Sequence, residues 1–222
     1  GSLLVRALTD RGKRAVAIDI DAQRINVLAV QDYPSYVPGL CGDAAVPDNL
    51  LAGGLRSPRC TGVIALTNDD QVNLTIAIAG KLLHPRLQVI SRASTLDAAV
   101  NMASFDTDFI VNPFHSFADH LALALRSPGV WLLHEWLTGV PNTTLTEPRY
   151  PPRGTWIVCG YGRFGKAIVH QLRREGVDCV IVEADPARTG CETCVQGRGT
   201  EEDTLAAAGV FGAAGVVAGT DN

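Results

Sequence analysis

The chain has 222 residues, a formal charge of −4 and a hydrophobic content of 46%, enough for one large or two small domains with a sizeable core. The near balance of charge excludes a broad basic surface for nucleic acid or an anionic membrane. No apolar run reaches the roughly 18 residues of a membrane span; the most apolar segment, 206–219, is broken by Gly209, Gly212 and Gly215, so the chain reads as soluble, with no signal or transit peptide at its start.

Taken in order, the opening predicts a helix over 3–11 and a strand over 14–18 that runs into Asp19-Ile20-Asp21. After Gly42-Asp43-Ala44 come a helix over 48–53, a strand over 63–66 and a helix over 69–83. The pattern continues with a strand over 87–91, a helix over 96–104, a strand over 109–111 and a helix over 115–126. Strands alternating with helical patterns indicate parallel βαβ units. Next, 130–137 carries two tryptophans on an amphipathic stretch, which reads equally as a helix packed on its own domain or as a dimer-forming one. Residues 139–154, with Pro141, Pro148, Pro151 and Pro152, read as an extended linker.

Past the linker lies the most informative stretch. Trp156-Ile157-Val158-Cys159 has the length and β-branching of a buried parallel strand. It leads into Gly160-Tyr161-Gly162-Arg163-Phe164-Gly165, and then into a helix over 166–174, where Ile168, Val169 and Leu172 recur at helical spacing. In a strand–turn–helix context, G-x-G-x-x-G uses its first glycine for the turn, its second to admit a pyrophosphate and its third to pack helix on strand. The helix start offers free N–H groups and a favourable dipole to the phosphate. A second strand over 178–182 ends in Glu183, close to the spacing of about 20 residues at which such folds place the acid that takes the ribose hydroxyls.

The opening repeats this region. With Gly1 set on Gly165, Leu8 falls on Leu172, Gly12 on Gly176, Asp19 on Glu183 and Asp21 on Asp185, without a gap. With a shorter offset, Gly42 falls on Gly197 and Leu50 on Leu205, and with a shorter one again, Thr67 on Thr220. The second copy is therefore shorter after its second strand, and its helix there must be short. The chain is expected to be a piece of a longer protein: the first copy lacks its first strand and the front of its glycine loop, and the second stops after its nucleotide-binding half. In a doubly wound sheet the first strand is central, so its loss would leave two apolar strand edges.

The six cysteines read as reduced thiols, since Cys159 and Cys179 fall in buried parallel strands. Cys191-Glu192-Thr193-Cys194 supplies only half of a zinc site and lacks a thioredoxin-type setting. None of His84, His115, His120, His134 and His170 forms a catalytic group with a neighbour in sequence.

The two fingerprints, the acid-ended second strands, Gly42-Asp43-Ala44 and Thr67-Asn68-Asp69-Asp70-Gln71-Val72-Asn73 together resemble the RCK/KTN family. These are the regulator-of-potassium-conductance domains, also called TrkA-type N-terminal domains. The resemblance covers nearly the whole chain and implies an α/β fold of two tandem Rossmann-like doubly wound parallel-sheet domains. Domain one spans 1–138 with a C-terminal helical segment, the linker 139–154, and domain two 155–222. It implies a ligand such as NAD(H) or an adenine nucleotide (ATP, ADP or AMP), and homodimers or higher rings. It also implies a regulatory role on a membrane potassium channel or transporter, on the same full-length chain or another, at the cytoplasmic face of the cell membrane. The implied binding residues are Gly160, Tyr161, Gly162, Arg163, Phe164, Gly165 and Glu183 in the second copy, with Arg198 and Thr220. In the first copy they are Gly1, Asp19, Asp43 and Thr67. Arg198 departs from the family pattern, which has the acid seen at Asp43. The rival reading is an NAD(P)-dependent oxidoreductase, which shares the fold but needs an acid or base beside the nicotinamide and a substrate domain.

Overall fold

The computed structural model describes residues 1–139, 144, 146–148, 150–190 and 194–219. They fall into two compact units, Gly1–Asn112 and Pro113–Asn222.

The first unit contains α1 (Ser2–Asp10), β1 (Ala17–Asp19), α2 (Ala22–Val30), β2 (Gly39–Cys41), α3 (Pro47–Ala52), β3 (Gly62–Ala65), α4 (Asp70–Leu83), β4 (Gln88–Arg92), α5 (Leu96–Ser104) and β5 (Phe109–Val111). All strand pairs are parallel, but they form two sheets, β1-β2 and β3-β4-β5. Short polar side chains start the helices: Asp21 caps α2, Asp69 caps α4 through the N–H groups of Gln71 and Val72, and Thr95 caps α5 through Ala98. The core gathers Leu50, Leu55, Ala65, Ile76 and Leu87, and Ala93 is buried with Ala98 and Met102 of α5 in a second cluster.

The second unit contains α6 (Pro113–Arg126), α7 (Pro128–Thr138), β6 (Trp156–Cys159), α8 (Arg163–Arg174), β7 (Cys179–Glu183), β8 (Cys194–Gln196), α9 (Glu202–Ala207) and β9 (Gly215–Ala218), with 3-10 turns at Pro186–Arg188 and Val210–Gly212. Its four parallel strands run in the order β8-β7-β6-β9. β6 is central, and its Ile157 and Val158 are fully buried between Ile168, Leu172, Ile181 and Val182. That is the near-continuous apolar pattern of a strand covered on both faces.

By the internal repeat, β7, β8 and β9 correspond to β1, β2 and β3. β6 lies between β7 and β9, whereas no strand among the described residues lies between β1 and β3. The two-part sheet of the first unit follows directly. Among the described residues, the nine-residue α2 has only a 3-10 turn as its counterpart, which fits the short connection the offsets require. The structure differs from the sequence reading in several places: β1 occupies Ala17–Asp19 rather than 14–18, and α2 and β2 lie in a stretch to which the sequence reading assigns no element. The first helical turn of α8 begins at Arg163, inside the glycine motif, where the sequence places the helix from 166. And α6, which the sequence assigns to the first domain, lies in the second unit: Phe114, Ala118, Leu121 and Leu125 pack with Ile168 and Leu172 of α8. Periodicity shows that α6 has an apolar stripe but not which surface that stripe meets. Of the expected linker, 140–143, 145 and 149 lie outside the described residues, and the others have neither helix nor strand.

Candidate nucleotide site

The glycine motif forms a tight crossover between β6 and α8. Gly160 has φ +97°, a left-handed value that disfavours any side chain, and its N–H donates to Val182 O at 2.7 Å. Gly165 lies in the first turn of α8, where an added Cβ would overlap the carbonyl oxygen of Gly160 and approach Gly219 O at 3.5 Å. Gly219 N–H donates in turn to Cys159 O at 2.7 Å, so the turn is held from the β9 side as well. Gly162 is different. Its φ of −72° is open to any residue, and it caps α8 without a side-chain hydrogen bond. The helix thus begins with uncapped N–H groups at its positive pole, an arrangement that suits a phosphate.

Glu183 closes the other side of this turn. It ends β7, is buried, and accepts from Tyr161 N–H at 2.6 Å through Oε2 and from Asp185 N–H at 3.1 Å through Oε1. Burial pushes its carboxyl pKa up. The N–H groups of Asp185, Tyr161 and Ala184 and the charge of Arg188 outweigh that and hold it below the usual carboxylate range. The anion is therefore fixed beside the glycine turn, and the remaining lone pairs of each oxygen can still accept a ribose hydroxyl.

The other motif side chains make ring contacts. The Phe164 ring meets Phe117 at 4.8 Å and Phe114 at 6.1 Å, and the Arg163 guanidinium lies 5.1 Å from the Phe114 ring centre. Lys166 Nζ stands 5.5 Å from the ring of Tyr161. Arg198 follows β8 with its side chain exposed, and Thr220 lies outside the described residues.

The first unit rebuilds the same corner. Asp19 ends β1 and accepts from Asp21 N–H at 2.9 Å, as Glu183 does from Asp185. Gly42 N–H donates to Asp19 O at 2.9 Å, as Gly197 N–H does to Glu183 O at 3.1 Å, so Asp43 and Arg198 occupy equivalent places. Asp43 turns its carboxylate back onto Ala45 N–H at 2.8 Å. Thr67 is held at the end of β3 by Asn73, whose Oδ1 accepts from Thr67 N–H and hydroxyl, both at 2.9 Å. Asn73 Nδ2 donates to Thr67 O at 3.0 Å and Arg92 O at 3.1 Å, which ties β3 to β4. Gly1 precedes α1 with open space around its Cα, unlike its crowded counterpart Gly165.

Among the described residues no group of histidine, cysteine or acid side chains is arranged to hold a metal, and no helix is long and apolar enough to cross a membrane. The five described cysteines are free thiols. The other half of the C-x-x-C, from Cys191 to Thr193, lies outside the described residues.

The profile of the TrkA-N domain family matches residues 1–113 and 156–222, which is most of the chain and two separate copies. The chain belongs to the TrkA-N family. A comparison with curated proteins finds no match. Among solved structures, GsuK bound to ADP is similar at a TM-score of 0.71 and 17% identity, over all of this chain and 51% of that one. The GsuK channel bound to NAD gives 0.72 at 14%, again over all of this chain and 51% of that one. The GsuK RCK domain gives 0.72 at 16%, over all of this chain and 61% of that one. At these identities the likeness establishes the fold, a tandem Rossmann-like arrangement, and the chain spans about half the length of the GsuK channel chains.

One pair of residues in the TrkA-N units escapes a reading built on glycines and acids. Arg24 lies 3.5 Å from Asp19 and 3.6 Å from Asp21, and Arg188 lies 3.5 Å from Asp185. The gapless alignment that pairs Asp19 with Glu183 also pairs Arg24 with Arg188, so the signal was present in the repeat. The buried clamp of Asn73 is the second such residue. Its place in the motif Thr67 to Asn73 is visible in sequence, but its contact with β4 is not.

Proposed function

We propose that the two TrkA-N units are a nucleotide-sensing regulatory pair that controls a membrane potassium channel or transporter. The ligand is NAD(H) or an adenine nucleotide such as ADP, ATP or AMP, bound with its phosphates on the glycine turn and its ribose on Glu183. Asp19, Asp43 and Thr67 form the corresponding positions of the first unit. The observation that carries this reading is the uncapped start of α8 beside a fixed, buried carboxylate. Solved relatives of the same fold, GsuK bound to ADP and the GsuK channel bound to NAD, support the ligand class and the channel partner. Binding changes the charge at the turn that joins β6, α8 and β7, and those elements form the core of the second unit.

The family resemblance supports assembly as a homodimer or ring at the inner face of the membrane. Val130, Leu133, Trp136 and Leu137 of α7 are exposed apolar residues available to such contacts. The role is regulatory rather than catalytic. Calorimetric titration of NADH, ADP and ATP into wild type and Gly162→Val tests the site. The φ of Gly162 tolerates a side chain, so the variant should fold and lose the ligand because the side chain blocks the phosphate approach. Wild type that binds none of the three at millimolar concentration refutes the sensing role.

A further inference from the structure

The outer face of α8 carries a stripe of cations that the fold itself does not require. The helix holds Arg163, Lys166, Arg173 and Arg174 and no acid. Lys166, His170 and Arg174 are exposed and recur about one turn apart, while Ile168, Val169 and Leu172 are buried in the core. By the gapless repeat, the first unit has Ser2, Arg6, Thr9 and Asp10 where the second has Lys166, His170, Arg173 and Arg174. The same helix of the fold thus stands in the first unit with one cation and one acid in place of the stripe.

Along this stripe lies an open cleft of about 340 Å³, lined by Tyr161, Lys166, Val169, His170, Arg173 and Arg174. The Lys166 ammonium stands 5.5 Å from the Tyr161 ring centre, which holds it at the end of the cleft next to the glycine turn. Neither Lys166 nor Arg174 has an ion-pair partner among the described residues. Helix electrostatics explains only part of this arrangement. Arg173 and Arg174, in the last turn, suit the negative pole, whereas Lys166, in the first turn, stands at the positive pole, where a cation is disfavoured. An anion lying along the face offsets both the pole and the concentration of positive charge. From Lys166 to Arg174 the stripe runs about 12 Å at 1.5 Å per residue, so its complement is elongated rather than a single compact ion. α8 exposes no large apolar side chain of the kind a membrane-inserted helix presents, and the chain has a net charge of −4, so the face suits a free anion rather than an anionic bilayer.

We infer that this cleft is a second anion site of the Glu183 unit, for a soluble linear polyphosphate whose successive phosphate groups meet Lys166, His170 and Arg174. The two cations supply charge-assisted bonds, and the His170 ring has an N–H to donate in either protonation state. The site lies on the outer face of α8, outside the glycine turn, and does not depend on a nucleotide bound there.

The test uses the full chain and inorganic triphosphate, titrated by calorimetry at low salt into wild type, Gly162→Val, and Gly162→Val with Lys166→Gln and Arg174→Gln added. Gly162→Val should still bind triphosphate, and the added pair should lower that affinity at least about tenfold, the loss expected when charge-assisted contacts are removed. Both added positions are exposed and glutamine keeps helix propensity, so the pair should leave the melting curve, measured alongside, unchanged. In the wild-type background the same pair should weaken triphosphate and leave ADP affinity as it was. Equal losses for ADP and triphosphate would place these cations on the nucleotide's own phosphates and overturn the inference. Triphosphate that binds wild type but not folded Gly162→Val would place the anion on the glycine turn and overturn it too, with nucleotide sensing left standing. Wild type that binds no triphosphate at millimolar concentration, or binding that the added pair does not change, would also overturn it. Sedimentation with phosphatidylglycerol vesicles is the parallel arm: vesicle binding lost with the pair, in a protein that does not bind triphosphate, would assign the face to a membrane instead.

Discussion

Replacing Gly165 with alanine tests the architecture of the site most directly. The new Cβ would overlap the carbonyl oxygen of Gly160, and its neighbour, the Gly160 carbonyl carbon, would stand 2.9 Å away. Neither side can give way cheaply. The Gly160 turn is pinned by its N–H to Val182 O and the adjoining β9 end by Gly219 N–H to Cys159 O, both at 2.7 Å. Overpacking of a rigid contact costs about 3 kcal/mol at the upper end of its usual range. The better helix propensity of alanine returns about 1 kcal/mol. A net loss of about 2 kcal/mol should lower the melting point of the second unit by about 10 °C. The comparison variant is Gly212→Ala, which adds a Cβ into open space and should melt like wild type. Circular dichroism melts read both, and NADH titration of the folded fraction should show the ligand lost in Gly165→Ala alone. A Gly165→Ala melting point within about 2 °C of wild type would refute the claim that this glycine is required for close packing.

Removing the Asn73 side chain as Asn73→Ala should unpair the Thr67 N–H and the Arg92 carbonyl at a fully buried position, while the Thr67 carbonyl keeps its bond from the Arg92 guanidinium, at a cost of about 2 kcal/mol or more read from urea unfolding, whereas Asn73→Asp should fail to rescue it because a carboxylate cannot donate. Glu183 has a folded pKa below its unfolded value of about 4.3, so its contribution should be complete above that value and disappear as the pH falls through the lower folded one. Glu183→Gln should flatten that acid limb in urea titrations from pH 3 to 6. Asp108 follows the same sign in the first unit: the Lys81 ammonium at 2.7 Å and Val89 N–H at 2.6 Å hold its carboxyl pKa down, so Asp108→Asn should remove stability at neutral pH and spare it in acid. Finally, no turnover of NADH with small carbonyl substrates is expected in a spectrophotometric assay, and steady turnover lost with a single histidine variant would contradict the regulatory role.

Much of this protein was legible in its sequence because the relevant signals are local. A strand of Trp156 to Cys159 followed by three glycines at fixed spacing has few ways to fold, and Gly160 and Gly165 adopt the turn and close contact that the motif requires. The internal repeat identified Asp19 as the partner of Glu183, and the backbone bonds of Gly42 and Gly197 bear out that pairing. The helix and strand positions expected over 48–126 and 156–182 agree with the structure to within a few residues, whereas α2 and β2 have no counterpart in that reading and α8 starts earlier because Gly162 can cap it without a side chain. Tertiary structure decided what periodicity cannot encode. The apolar stripe of α6 meets α8 in the second unit, and Phe164, which reads as a motif residue, is fixed by Phe114 and Phe117 of that helix. The direction of a side chain was equally invisible. Glu183 turns inward to the Tyr161 and Asp185 N–H groups while Arg198 points to solvent, and only the path of the backbone brings them to one corner. A motif specifies the backbone that hydrogen bonds can satisfy locally; which charges then face one another depends on contacts between residues far apart in the chain, and these exist only in the folded protein.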